Sequence, residues 1–152
     1  MTQFLGHIVR GEPINLVDGG AQKRAFTYID DGIDALMKII DNKDGIADGK
    51  IYNIGNPINN HSVRDLATQM LEIARSIPEY AKTANQVKIQ ETTSGAYYGE
   101  GYQDVQNRVP AIDNTMKELG WKPTTTMTDA LKNIFEAYRE DVEKARHLVD
   151  KE

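Results

Sequence analysis

The chain has 152 residues, of which 39% are hydrophobic and 27% charged, a composition typical of one soluble domain or a large piece of a longer protein. Its net charge of −5 argues against an extended nucleic-acid surface, so an anionic ligand would have to meet a local cluster of cations. The sequence has no cysteine, no apolar run of membrane-spanning length and no secretory signal, so we expect a cytoplasmic protein without disulfides or membrane partners.

Hydrophobic periodicity predicts about five helices and several short strands, which we interpret as an α/β fold, or α+β for an isolated piece. Apolar residues at helical spacing predict helices over 2–10, 30–40, 62–77, 110–120 and 128–142. Alternating or β-branched runs predict strands over 14–17, 24–29, 51–54 and 87–92. The helix that ends at Ile40 is apolar on more than one face, so we expect it to require neighbours on two sides.

Local signals refine the later elements. Ser62 and Asp65 have the spacing of a capping box, and Thr128 is a candidate N-cap of the last helix. Residues 92–108 combine three tyrosines and three glycines without regular periodicity, which predicts an irregular loop. Residues 143–152 are expected to form a charged, frayed end of a single fragment spanning 1–152.

A turn followed by cations precedes the helix that runs to Ile40. Asp18-Gly19-Gly20 suits a tight reversal, and Gln22, Lys23 and Arg24 follow it at the start of a predicted strand. One interpretation is a hairpin with a solvated charged tip. The other is an anion-binding loop, since arginine grips phosphate or carboxylate in two bonds and lysine supplies a mobile charge.

Other chemistry is sparse in this sequence. His7, His61 and His147 lie in different predicted elements without partners at metal-ligand spacing, so we predict no metal site. The 42–50 loop resembles a calcium loop only superficially, because an apolar residue stands where an oxygen ligand is needed. The remaining candidates are Lys23, Arg24, Arg108 and the tyrosines Tyr97, Tyr98 and Tyr102, which together could hold an anionic ligand with a flat ring.

Four segments in order carry a family resemblance that covers almost the whole chain. They are INLVDGGAQKRAFTYIDDGIDALMKII, KIYNIGNP, SVRDLA and GYQDVQNRVPAIDNTMKELGWKP. This succession is similar to the C-terminal half of extended short-chain dehydrogenases/reductases of the NAD-dependent epimerase/dehydratase family, which act on nucleotide sugars. Within that family, VDGGAQKRAFTYIDDGIDAL together with TTSGAYYGEGYQDVQNRVP most resembles the UDP-glucuronate decarboxylase branch, which serves lipid A modification and polymyxin resistance.

The resemblance implies an intact enzyme whose N-terminal Rossmann half holds NAD and whose C-terminal part closes over a UDP-sugar, with UDP-glucuronate expected. It places Gln22, Lys23 and Arg24 along the UDP site and Tyr102 near the nucleotide sugar. It also assigns Arg108 a catalytic role at the carboxylate that is lost after oxidation at C4. We further expect a homo-oligomer.

This sequence departs from the complete family pattern. It has neither the GxxGxxG fingerprint nor a tyrosine with a lysine four residues later, so we expect this chain alone to bind no NAD and to be inactive. A nucleotide-sugar epimerase or dehydratase fragment is the alternative within the family, because neither requires a carboxylate-binding Arg108. A non-catalytic binding or interaction module is the alternative from another class, and the upstream reading frame would discriminate a fragment from a module.

Overall fold

The computed structural model describes residues 1–99, 105–140 and 142–143, which form an α/β structure, as predicted. The helices are α1 Thr2–Arg10, α2 Ile29–Asp41, α3 Val63–Ser76, α4 Pro78–Ala84, α5 Ser94–Tyr98, α6 Asp113–Leu119 and α7 Met127–Ala137. The strands are β1 Ile14–Val17, β2 Lys23–Ala25, β3 Asn60–Ser62, β4 Ile89–Thr92 and β5 Asn107–Arg108. The chain divides into two compact units: residues 1–22, 62–106 and 131–152 form the first, and residues 23–61 and 107–130 form the second.

The first unit has its core around helices α1, α3 and α4 and the parallel pair β1 and β4. Ile14 of β1 pairs with Ile89 of β4, and Ile14 is fully buried. Tyr80 is also fully buried; its hydroxyl donates to the Phe135 carbonyl at 2.8 Å, and the two rings meet edge to face with centroids 5.1 Å apart. Burial raises the pKa of Tyr80 to about 12, so this hydroxyl keeps its proton across the physiological range.

The second unit is organised around the start of α2 and a small apolar cluster. Ala35, Ile112, Leu119 and Trp121 form this cluster, against which Ile39, Tyr52 and Ile54 pack. The buried Asp31 carboxylate accepts hydrogen bonds from Thr124 N at 3.1 Å and Thr125 N at 3.0 Å, while Trp121 Nε1 donates to the Asp31 carbonyl at 2.9 Å. The first turn of α2 therefore fixes the segment that precedes α7.

Several sequence predictions are confirmed at the level of single elements. Helix α1 has the predicted bounds and ends at Gly11, whose φ of 72° is the left-handed conformation that glycine favours. The capping box of α3 is present, since Ser62 Oγ accepts from Asp65 N at 2.9 Å and Asp65 Oδ2 accepts from Ser62 N at 3.0 Å.

Other predictions are wrong. The two strands around the Asp18–Gly20 turn do not form a hairpin, because β1 pairs with β4 whereas β2 lies between β3 and β5 in another sheet. The second of these strands ends at Ala25 rather than at residue 29. Helix α7 starts at Met127, two residues earlier than a helix capped by Thr128 would, and Thr126 is its cap: Asp129 N donates to Thr126 Oγ1 at 3.1 Å. Residues 51–54, predicted as a strand, belong to no sheet within the described part of the chain.

Candidate functional site

The glycine turn of the first unit has three consecutive residues with positive φ. Asp18, Gly19 and Gly20 have φ values of 47°, 73° and 70°. Asp18 Oδ1 accepts a hydrogen bond from Ser94 N at 2.9 Å, and the Gly19 carbonyl accepts one from Arg64 Nε at 2.8 Å. The turn is therefore held both at its first residue and at its centre.

Gln22, the first of the predicted substrate-binding residues, follows this turn. Its carbonyl accepts a hydrogen bond from Val63 N, the first residue of α3, at 3.1 Å. Its side chain is partly buried. The backbone from Gly19 to Gln22 is thus attached at both ends to the start of α3.

The second unit places the predicted cations on a three-stranded sheet. The strand order is β3-β2-β5, and the parallel register of the last two strands pairs Lys23 with Asn107 and Arg24 with Arg108. Side chains of paired residues project from the same face of a sheet, and adjacent strands lie about 4.8 Å apart. Arg24 and Arg108, both predicted to contact the ligand, therefore occupy neighbouring positions whose side chains leave the same face of the sheet, although 84 positions separate them in the sequence.

Two cations at paired positions repel one another unless an anion lies between or beside them. Arg24 Nη1 donates to the Lys23 carbonyl at 2.7 Å, which ties this guanidinium to its own strand. Arg108 is exposed, and no hydrogen bond or ion pair of its side chain occurs among the described residues. Arg108 thus presents a planar fork that suits a phosphate or a carboxylate, next to Arg24 in the strand register.

The opposite face of the same sheet carries Lys23 with two asparagines. Asn60 Nδ2 on β3 donates to Asn107 Oδ1 on β5 at 3.1 Å, a bond that crosses the central strand β2. Asn60 Oδ1 is buried and has no hydrogen-bond partner among the described residues. Sequence reasoning missed both asparagines, because a single amide in a two- or three-residue strand has no distinguishing pattern.

The tyrosine candidates divide between described and undescribed positions. The rings of Tyr97 and Tyr98 are exposed, and their centroids lie 4.7 Å apart with an interplanar angle of 76°. Tyr102 lies outside the described residues, so its predicted place beside the nucleotide sugar stays a prediction. Within the same described ranges, no group of three or more metal-ligating side chains comes together, and no helix is long and apolar enough to cross a membrane.

Comparisons with known proteins agree with this architecture. Residues 1–55 match the model of the NAD dependent epimerase/dehydratase family. PbgP3 protein from Burkholderia pseudomallei, known from a crystal structure, has 63% sequence identity to this chain. The two structures superpose with a TM-score of 0.87, and the match covers 98% of this chain and 41% of that protein. The chain has part of the NAD-dependent epimerase/dehydratase fold.

More distant structures share that fold at low identity. The dTDP-glucose 4,6-dehydratase of Bacillus anthracis, solved with NAD, has 15% identity and a TM-score of 0.69 over 96% of this chain and 40% of its own. UDP-glucose 4-epimerase of Thermotoga maritima, solved with UDP-glucose, has 23% identity and a TM-score of 0.62 over 90% of this chain and 38% of its own. This chain thus spans about two fifths of the length of these epimerase/dehydratase-fold proteins.

Proposed function

We propose that this chain is the UDP-sugar-binding portion of an NAD-dependent UDP-glucuronate decarboxylase that serves lipid A modification and polymyxin resistance. All 152 residues form one substrate-binding fragment in this proposal, and residues 143–152 form its charged end. The resemblance of the GYQDVQNRVP segment to the decarboxylase branch supports the reaction. The UDP-glucose bound to the Thermotoga epimerase supports the substrate class.

The observation that carries the proposal is the strand register that pairs Arg24 with Arg108. A UDP-glucuronate molecule bears a diphosphate and a carboxylate, so it offers negative charge to both guanidinium groups. We assign Arg24, Lys23 and Gln22 to the diphosphate part, Tyr102 to the nucleotide sugar, and Arg108 to the carboxylate. A permanently charged fork at Arg108 binds the carboxylate and also stabilises the enolate that remains after carbon dioxide leaves.

NAD does not fit the residues of this chain. The glycine fingerprint that cradles the pyrophosphate and the Tyr-x-x-x-Lys pair are both absent from its sequence. We therefore place NAD, and the oxidation at C4 that it supplies, in the N-terminal half of the intact enzyme. Calorimetry should detect no stoichiometric binding of NAD to this chain, and tight binding would contradict this division.

Replacement of Arg108 in the intact enzyme tests the proposed role directly. Arg108→Ala should lower decarboxylase turnover by a factor of about a hundred or more, because it removes an interaction that strengthens toward the transition state. Binding of the UDP part should change much less. Arg108→Lys keeps the charge but not the fork, so we expect partial rescue. Steady-state kinetics together with thermal melts are the measurement.

Two further variants make this experiment specific. Lys23→Ala should weaken UDP-sugar binding in a salt-dependent way with a smaller effect on turnover, as for a phosphate contact in a partly wet site. Arg75→Ala, which removes an exposed arginine from the last turn of α3, is the matched control and should change neither quantity. Full turnover in Arg108→Ala, or activity lost only in step with folding, would remove Arg108 from the mechanism.

An intact enzyme that epimerises or dehydrates its UDP-sugar without releasing carbon dioxide would instead favour the other branches of the family.

A further inference from the structure

The Asp18–Gly20 turn is a conformation that the backbone does not hold by itself. Left-handed φ is readily accessible to Gly19 and Gly20 but costs free energy at Asp18, whose φ is 47°. Strained backbone of this kind persists only where its surroundings fix it, and it often occurs at ligand-binding positions. The contacts around the turn therefore identify the residues that maintain its shape.

The start of helix α3 supplies two of these contacts. Val63 N donates to the Gln22 carbonyl at 3.1 Å, and Arg64 Nε donates to the Gly19 carbonyl at 2.8 Å. A Cβ atom on Gly20 would stand 3.1 Å from Arg64 N, so the turn also packs closely against this helix end. The capping box between Ser62 and Asp65 fixes the same helix end. Two successive residues of α3 thus hold the backbone of Gly19–Gln22 at both ends.

Arg64 makes a second interaction that orients its guanidinium. Its Nη2 pairs with the Glu91 carboxylate on β4, while its Nε remains bonded to the Gly19 carbonyl. Both side chains are largely exposed, at 45% and 65% of their surface, so this ion pair contributes little to global stability. The ion pair nevertheless orients the guanidinium, because the planar fork of arginine binds two acceptors in fixed directions.

We propose that Arg64 is a positioning residue for the substrate-binding segment, holding the Gly19–Gln22 backbone in its ligand-ready shape through its bonds to Gly19 and Glu91. The inference rests on the proposed function for the assignment of Gln22 to the UDP-sugar. We call the bonds from Arg64 to Gly19 and to Glu91 the brace. The brace lies within the first unit and can be measured without ligand.

Hydrogen exchange of the 152-residue chain, followed residue by residue, tests the brace. In Arg64→Ala the amides of Val63 and Ser94, which donate to the Gln22 carbonyl and to Asp18 Oδ1, should exchange about ten-fold faster than in the wild type, while the thermal midpoint stays within about 2 °C, as expected for local opening. Glu91→Gln should give an intermediate acceleration, because Arg64 keeps the Gly19 carbonyl but loses the carboxylate that orients it. Arg64→Lys should recover part of the protection, and Arg75→Ala on the same helix should leave it unchanged.

Titration with UDP links the brace to binding. If Arg64 positions the segment, the UDP dissociation constant should rise about five-fold in Arg64→Ala, because part of the binding free energy is then spent on ordering the turn. A wild-type chain that binds no UDP would count against the proposed function, whereas the exchange rates would still decide the brace. Exchange rates and UDP affinity in Arg64→Ala equal to those in Arg75→Ala would overturn the inference.

Discussion

Two glycines of the second unit differ in whether the structure leaves space for a Cβ atom. A Cβ on Gly55 would lie 2.4 Å from Cγ of Pro110, whose rigid ring cannot rotate away, whereas a Cβ on Gly32 in α2 would meet no atom within 4 Å. Gly55→Ala should therefore lower the free energy of unfolding by about 1–3 kcal/mol through overpacking. Gly32→Ala should raise it by about 0.5–1 kcal/mol, since alanine restricts the unfolded chain and favours helix.

Urea denaturation of both variants beside the wild type measures these changes. The pair is matched, because each variant adds one methyl group to a glycine of the same unit. Equal effects of the two substitutions, or a neutral Gly55→Ala, would show that the Pro110 contact relaxes without cost. The residue before Gly55 in the sequence is apolar and the residue after it polar, so no local pattern reveals this requirement.

At the scale of elements, Asp31 connects the first turn of α2 to the segment before α7. Burial raises the pKa of its carboxyl group, but the hydrogen bonds from Thr125 and Thr124 lower it by more, so the net pKa lies below the ordinary value. A carboxylate with a lowered pKa stabilises the folded state at all pH values above its unfolded pKa of about 3.9. That stability is lost as the pH falls through the folded pKa.

Asp31→Asn should therefore reduce the free energy of unfolding near neutral pH by about 1–3 kcal/mol, because one amide oxygen replaces two carboxylate acceptors. The difference from the wild type should shrink as the pH falls below about 4, because the unfolded chain then takes up a proton at Asp31 before the folded chain does. Urea melts from pH 7 to pH 2.5 measure both effects. A constant difference over that range would mean that Asp31 does not act through its charge.

Element-scale features divide clearly into those that the sequence predicts and those that it does not. Helix α1 and the capped start of α3 were predictable, because their signals lie within a few residues of the features they specify. The sheet pairings were not, since short strands such as Asn107–Arg108 carry no register information and their partners are distant in sequence. The candidate cations were identified from the sequence and received their roles from the resemblance, but only the fold shows that Arg24 and Arg108 are paired.

At the scale of the whole molecule, helix α2 presents an exposed apolar face. Its exposed large apolar side chains are Ile29, Ile33, Leu36, Met37 and Ile40. They recur at helical spacing and form one continuous stripe, and Ile40 alone is 72% exposed. A stripe of this kind marks an interaction surface or an aggregation risk. We propose that the N-terminal half of the intact enzyme covers it, which explains why the helix is apolar beyond its contacts with the second unit.

The isolated chain should consequently self-associate through this stripe, because burial of exposed apolar surface is favourable at roughly 25 cal/mol per Å². Light scattering across a wide concentration range should show mass increasing with concentration. Leu36→Glu combined with Ile40→Glu should shift the chain toward monomer by placing two charges on the stripe. Thr68→Glu combined with Asn133→Glu adds the same charge at exposed neutral helix positions and should leave association unchanged. A monodisperse, cooperatively unfolding wild-type monomer at all concentrations would contradict the prediction, whereas equal suppression by both pairs would assign the association to net charge rather than to α2.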